Sequence, residues 1–187
     1  MDPQIVFLVW LPVFVVSCAA ALQYDHGSRK EWKAAYFLSG SVLYRRVYEV
    51  GSSQHQVPDV ELLKQRFASR WGWTMEFQRI TPTDIAFRGE EYTRLPVNAL
   101  MHGCLQFDLT TGRVVVVGYA NRGTLWFFGG LGAFALLSMN AAAWAIFLMA
   151  ILLAALTLWG RSDHYGDIGQ YAAFLLARSA VVSPERA

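Results

Sequence analysis

Two long stretches of the chain carry no charged residue, and polar and apolar positions alternate in the segment between them. The uncharged stretches are residues 5–22 and 123–160. A helix rises about 1.5 Å per residue, so about 20 apolar residues cross the hydrocarbon core of a bilayer. The first stretch approaches this length, and we expect residues 5–23 to form a transmembrane helix that is kinked at Pro12.

The second stretch is too long for one span, because a helix of that length would extend roughly 57 Å. The polar sequence Ser138-Met139-Asn140 interrupts its centre. This interruption predicts a hairpin of two transmembrane helices, residues 124–139 and 141–160. The expected total is three transmembrane helices.

Aromatic and basic residues mark the expected membrane interfaces. Trp126 and Trp159 fall at the two open ends of the hairpin and Trp144 falls near its tip, as the interfacial preference of tryptophan predicts. After the first span, basic side chains next to an aromatic ring are expected to reach the headgroup layer. These residues are Arg29, Lys30, Trp32 and Lys33.

Small residues in the hairpin predict the faces through which its helices pack. Helix backbones in a membrane approach each other closely where the side chains are small. The predicted packing residues are Gly129, Gly132 and Ala133 on the first helix, and Ala150 and Ala154 on the second. A nucleotide-binding role for these glycines is not expected, because such a loop follows a strand and faces water.

The segment of residues 24–122 predicts a soluble domain. Apolar residues at helical spacing, from Val60 to Trp71, predict a helix after Pro58. Alternation of apolar and polar residues predicts strands in five places. These are residues 42–50, 73–78, 85–88, 99–109 and 113–119, the last two joined as a hairpin at 110–112. The expected fold class is α+β, with four to five mostly antiparallel strands inserted between the spans.

Two further helices are expected at the borders of this domain. Ser28 and Glu31 have the spacing of a capping box, which predicts that a short helix begins there. The tail of residues 161–187 contains an amphipathic pattern at 167–181, with Ile168 and Ala172 on its apolar stripe. That helix could lie in the membrane interface, dock on a partner, or pack on the domain itself.

Composition agrees with a membrane protein and argues against nucleic-acid binding. Charged residues make up 16% of the chain and apolar residues 55%, against about 25% and 45–50% in typical soluble proteins. The net charge is only +2, and no basic run is interleaved with aromatic residues. The two cysteines, Cys18 and Cys104, fall in different environments, so both are expected to be reduced thiols.

The distribution of cations predicts an orientation. Arg29, Lys30 and Lys33 follow the first span, Arg122 precedes the hairpin and Arg161 follows it. By the positive-inside rule, the domain and the C-terminus are expected in the cytoplasm and the N-terminus outside. The small size and the lack of any Asn-x-Ser/Thr sequence are typical of a bacterial inner-membrane protein.

One alternative would reverse this orientation. The residues from Val15 to Cys18 resemble a lipoprotein cleavage box, and lipidation of Cys18 would leave the domain outside. A secretory signal begins with a positively charged region, however, whereas this sequence begins with Met1 and Asp2.

His102 and Cys104 are the candidates for chemistry. They lie two residues apart on a predicted strand, so their side chains share a face. A zinc site needs three or four protein ligands, and no further ligand is suitably spaced in the sequence. We therefore expect a structural strand face and no metal or other cofactor. The adjacent Glu90 and Glu91 are expected to face solvent.

Three functions are compatible with these patterns. The favoured one is a non-enzymatic accessory or scaffolding subunit of a larger inner-membrane complex. Its spans would pack on other membrane-protein subunits in the lipid bilayer, and its domain would bind a cytoplasmic protein partner or a second copy through exposed aromatic residues such as Tyr44 and Tyr48. The alternatives are a membrane-tethered sensor or lipid-surface-binding module, and a membrane-bound enzyme that uses His102 and Cys104. The predicted spans contain no ionisable residue, which argues against a transporter.

Overall fold

The computed structural model describes residues 3–51, 55–67, 75–89, 101–138 and 141–180. Its elements, in chain order, are α1 (Pro3–Lys30), α2 (Ala34–Phe37), β1 (Val42–Glu49), α3 (Val60–Phe67), β2 (Met75–Arg79), β3 (Asp84–Gly89), β4 (Met101–Asp108), β5 (Arg113–Ala120), α4 (Arg122–Ser138) and α5 (Ala141–Ala180).

The five strands form one antiparallel sheet in the order β1-β5-β4-β3-β2. This confirms the predicted α+β class and the mostly antiparallel pairing. The hairpin between β4 and β5 turns at Gly112, whose φ of 62° favours glycine. The Asp108 carboxylate accepts hydrogen bonds from Thr110 and Thr111 in the same turn, which explains why the sequence predicted this hairpin correctly.

One face of the sheet, which we call the α5 face, carries the main hydrophobic core. Helix α3 and the second half of α5 cover it, and the apolar side chains of alternate strand positions point into it. Its fully buried members include Leu63, Phe87, Leu105, Val114, Val116, Ile168, Ala172 and Leu176. The aromatic rings of Tyr44 and Tyr48 pack against this core, so they are not the exposed contacts that the sequence suggested.

The opposite face, which we call the α2 face, is covered in part by α2 and its flanking residues. Cys104, Val117 and Tyr119 are buried there next to Leu38 and Ile80. The valine run of β5 therefore contributes to both layers: Val114 and Val116 point toward α5, and Val117 points toward α2. Burial on both faces is what a continuous apolar run predicts.

Helix α5 is continuous over 40 residues, a length of roughly 60 Å. Its first half is apolar and exposed, whereas Tyr165, Ile168 and Leu176 in its second half belong to the core of the sheet. The tail helix is thus a continuation of the apolar helix, with no break at Gly160. Among the three locations that the sequence left open for this helix, the structure shows the one on the domain itself.

Among the described residues, one helix, Ala141–Ser179, is long and apolar enough to cross a membrane, and only 6% of its apolar stretch is buried within the chain. The apolar part of α4, Leu125–Leu136, is shorter. The residues Met139 and Asn140, at the predicted tip of the hairpin, lie outside the described residues. The helix that is long and apolar enough contains the third predicted span, residues 141–160. The first and second spans predicted from sequence stay predictions.

The helix expected to begin at Ser28 does not exist as a separate element. Helix α1 extends without interruption to Lys30, and Ser28 is buried in its last turn. Extending a helix adds a hydrogen bond for each residue, whereas a new helix needs a costly nucleus. The chain leaves the helical conformation at Trp32, whose φ is 52°. The capping-box prediction was wrong for this reason.

Candidate membrane-proximal site

A buried polar cluster lies where the sheet joins α4. His102 on β4, Asn121 just before α4 and Tyr36 on α2 form its core, and His102 and Asn121 are 1% and 2% exposed. The Tyr36 hydroxyl donates to Asn121 Oδ1 over 3.1 Å. The His102 Nδ1 atom lies 2.7 Å from Asn121 Oδ1, and Nε2 lies 2.9 Å from the Tyr36 carbonyl oxygen. The cluster thus connects three separate parts of the chain.

Aromatic rings enclose the imidazole of His102. The Tyr36 ring stacks on it with centroids 4.2 Å apart, the Tyr119 ring is at 5.6 Å, and Phe37 presents its edge at 5.2 Å. The imidazole uses Nδ1 in its contact with Asn121 and Nε2 in its contact with the Tyr36 carbonyl oxygen. Both ring nitrogens are engaged, and a metal ion could bind only if these hydrogen bonds were broken.

Cys104 is equally enclosed. Its side chain is fully buried, and its thiol donates a weak hydrogen bond to the Leu105 carbonyl oxygen over 3.7 Å. Burial raises the pKa of the Cys104 thiol well above its usual range, which disfavours the thiolate that nucleophilic or metal-binding chemistry requires. Within the part of the chain that the structure describes, no group of three or more His, Cys, Asp or Glu is placed to hold a metal ion. The geometry thus gives both residues a packing role.

The four residues expected at the membrane interface after the first span lie in different settings. Trp32 is half-buried, stacked on Phe37 with centroids 5.2 Å apart. The Arg88 guanidinium lies over the same ring, 4.4 Å from its centroid, and is held by an ion pair of 2.6 Å with Glu76. Trp32 is therefore a contact between α2 and the sheet.

The three cations of that group are on the segment before α2. Lys30 is exposed at the end of α1. Lys33 is also exposed and forms a 2.9 Å ion pair with Glu31. Arg29 belongs to α1, but its side chain lies outside the described residues. Lys30 and Lys33 are thus at the surface of the protein.

The glycines of α4 have different neighbours. A Cβ at Gly132 would lie 3.0 Å from Phe147 on α5, and a Cβ at Gly130 would overlap the Phe14 ring on α1. A Cβ at Gly129 would meet nothing within 4 Å. The structure thus places Gly132 at a helix contact, places Gly129 beside open space, and adds a helix contact at Gly130.

The remaining predicted positions of the hairpin lie on the apolar helices. Trp126 and Trp159 are 59% and 73% exposed, and Trp144 is half-buried with its ring edge toward Phe147, centroids 5.9 Å apart. Ala150 and Ala154 are half-buried on α5. Ala133 lines a groove between α1 and α4.

Two glycines of α5 that the sequence did not single out face the sheet, and one of them limits how closely this helix can approach it. Gly166 and Gly169 are buried, and a Cβ at Gly169 would overlap both Tyr48 on β1 and Val116 on β5. Their spacing of three residues on one amphipathic stripe is a signal that could have revealed this contact.

The outer edge of β1 is exposed. Among the described strands, β1 pairs only with β5. Arg45 and Val47 lie on its α2 face and are exposed, and Leu43, at an irregularity in the pairing, is 45% exposed. This edge and face, defined by Leu43, Arg45 and Val47, are called the open edge below.

The chain matches no protein-family model, no curated protein and no solved structure. Its function must therefore be argued from the geometry of its own residues.

Proposed function

We propose that this chain is a non-enzymatic scaffolding subunit of a membrane complex, which holds an α+β domain at the membrane surface so that the domain binds a protein partner. The observation that carries the proposal is the continuity of α5. The same helix supplies an exposed apolar half and the central core helix of the domain, so the domain cannot swing freely relative to the apolar helices.

Rigid coupling is what a scaffold requires. A tethered enzyme or sensor is served equally well by a flexible linker, whereas a subunit that presents a binding surface gains affinity when that surface is already ordered. The buried cluster of His102, Asn121 and Tyr36 supports the same role, because it ties the first residue before α4 to the sheet and to α2.

In this proposal, three helices cross the membrane: the apolar part of α1, α4, and residues 141–160 of α5. Packing of α4 on both α1 and α5 supports this arrangement. The cations at the sheet-side ends of these helices support a cytoplasmic position for the domain, and a bacterial inner membrane is the compartment that we propose.

The open edge of β1 is the surface that we propose for the partner. The Val50 amide donates to the carbonyl oxygen of Gly112, just before β5. Alternation in an antiparallel pair then directs the N–H and C=O groups of Arg45, Val47 and Glu49 away from β5. An exposed edge of this kind accepts an additional strand from another protein.

The chemistry of the open edge selects an acidic extended segment. Glu49 is already in a 2.9 Å ion pair with Arg113, whereas Arg45 is exposed beside the apolar Leu43 and Val47. A partner strand that places a carboxylate opposite Arg45 and apolar side chains next to it would complement this pattern.

The test compares tagged full-length protein with two variants at one position. Val47→Pro removes the outward N–H group but leaves the pairing with β5 intact, since proline is tolerated on the free side of an edge strand. Val47→Thr keeps both the N–H group and the branched shape. We expect one membrane complex to co-purify in mild detergent with the wild type and Val47→Thr, but not with Val47→Pro.

A charge reversal then tests the partner chemistry. Arg45→Glu is expected to weaken recovery of the same partner, and a photo-crosslinker at position 43 should label an acidic segment of it. A monodisperse monomer without partners, or equal recovery of all proteins by the three variants, would contradict the proposal.

A further inference from the structure

An apolar groove of about 390 Å³ runs between α1 and α4. Its walls are formed by Val13, Phe14 and Ser17 on α1 and by Leu125, Trp126, Gly129, Gly130 and Ala133 on α4. The two helices touch where the Phe14 ring lies against Gly130, and the space beside Gly129 is open. The groove is thus a consequence of two adjacent glycines: Gly130 lets the two helices approach each other, and Gly129 leaves open space beside that contact.

The size of the groove limits what can fill it. Along α4 it extends from Leu125 to Ala133, which is roughly 12 Å of helix. A single hydrocarbon chain is thinner than a helix and matches the walls, which are apolar apart from Ser17.

A cation lies at the sheet-side mouth of the groove. Arg122 is one turn before Leu125 and Trp126, on the same face of α4. Its guanidinium lies over the Tyr24 ring of α1, 5.1 Å from the centroid. Arg122 and Tyr24 are both exposed, so this charge is accessible at the end of the apolar walls, on the side where α4 meets the sheet.

We propose that the groove binds one anionic phospholipid of the bilayer, with an acyl chain against Gly129 and the phosphate group at Arg122. The apolar walls and the single cation at one end complement the two ends of such a molecule. Exposed Trp126, at the rim, has the amphipathic ring that is typical of the headgroup boundary. The site rests on the membrane-spanning part of the proposed function, but not on the protein partner of the domain.

The experiment uses full-length protein in nanodiscs that contain equal amounts of phosphatidylglycerol and phosphatidylethanolamine, followed by native mass spectrometry. We expect the wild type to retain one phosphatidylglycerol molecule. Gly129→Leu places a side chain in the open space and should reduce lipid retention at least tenfold. Ala145→Leu introduces the same side chain at an exposed position of α5 and should retain lipid like the wild type.

Two further variants separate the parts of the site. Arg122→Gln is expected to abolish the preference for phosphatidylglycerol over phosphatidylethanolamine, because the cation provides that preference. Ser17→Leu fills the groove from α1 and should reproduce the effect of Gly129→Leu. It also serves as the deciding variant if Gly129→Leu proves unstable in thermal unfolding.

Any one of three results would overturn the lipid site. The first is equal retention of the two lipids by the wild type, and the second is unchanged retention in both groove-filling variants. The third is crosslinking to a protein helix when a photo-reactive residue replaces Trp126. If Gly129→Leu loses the lipid but still recovers the protein partner, the lipid site is supported independently of the proposed scaffolding function. Extraction of the wild type from membranes by alkaline carbonate would contradict both.

Discussion

The Tyr48 hydroxyl on β1 donates a hydrogen bond to the Gly166 carbonyl oxygen on α5 over 2.9 Å. The same tyrosine ring lies so close to Gly169 that no Cβ fits there. One side chain of an edge strand therefore sets both the position of α5 along the sheet and its distance from it. Since α5 also contains the apolar half, this contact determines how the domain is held relative to the apolar helices.

Replacement of Gly169 by alanine should weaken the docking of α5. The new methyl group would overlap Tyr48 and Val116, and overpacking of this kind typically costs about 1–3 kcal/mol. We expect a melting temperature several degrees lower in detergent solution. Gly160→Ala is the matched control, because a Cβ at Gly160 meets nothing within 4 Å and should leave the melting temperature unchanged or higher. Equal melting temperatures of wild type and Gly169→Ala would contradict the close packing.

The hydroxyl of Tyr48 should make stability depend on pH in alkaline solution. Burial, reinforced by the neighbouring Tyr44, raises the pKa of Tyr48 to about 12, against about 10 in an unfolded chain. The contribution of this residue is therefore complete below pH 10 and is lost as the pH rises toward 12. Tyr48→Phe should be less stable than wild type at pH 8, by about 0.5–1.5 kcal/mol for the missing hydrogen bond.

The measurement is urea unfolding of both proteins between pH 8 and pH 11.5. The difference in stability should shrink above pH 10, because only the wild type loses stability through this phenol. Gly160→Ala, which keeps the tyrosine, should follow the wild-type profile. A difference that stays constant across this range would show that Tyr48 ionises alike in the folded and unfolded chains.

Removal of the His102 imidazole should destabilise the junction between the sheet and α4. His102→Leu removes one hydrogen-bond partner from the Tyr36 carbonyl oxygen and one from Asn121 Oδ1, and the loss of a partner in a buried site costs about 1–3 kcal/mol. The effects of His102→Leu and Asn121→Leu should be non-additive by at least about 0.5 kcal/mol in a double-mutant cycle. His164→Leu, at an exposed position of α5, should change stability by less than about 0.5 kcal/mol.

The Cys104 thiol should report global unfolding. In a Cys18→Ser background it is the only thiol, since the chain has two cysteines. Burial raises its pKa and excludes reagent, so maleimide labelling at pH 7.5 should be at least a hundredfold slower in native protein than in denaturant. A cysteine placed at exposed Gln78, with Cys104→Ala, should react fast in both. Rapid labelling of Cys104 in the native protein would contradict its burial and would support the hypothesis that it acts as a nucleophile.

Local patterns predicted the strands because each strand contains its own signal. Period-two alternation in β4 correctly put His102 and Cys104 on one face, and the valine run correctly indicated burial of β5 on both faces. The sequence predicted the turn at Gly112 because the conformation and the hydrogen bonds of this turn depend on neighbours within four residues.

The tertiary partners of these residues could not be predicted from the sequence. His102 binds Tyr36 and Asn121, which lie 66 and 19 residues away in the chain, and Gly169 is required by a tyrosine on another element. The sequence around His102 or Gly169 does not indicate which distant residue will contact it in the folded protein.

The sequence by itself thus determined where the chain is apolar, where strands and turns form, and that no ionisable residue enters the predicted spans, because these depend on composition and short-range periodicity. Only the tertiary structure decided that the apolar helix continues onto the sheet as α5, that Gly130 rather than Gly129 meets Phe14, and that His102 is enclosed rather than open to a ligand. Those outcomes depend on how surfaces from distant segments fit together, and shape complementarity is not encoded in any one segment.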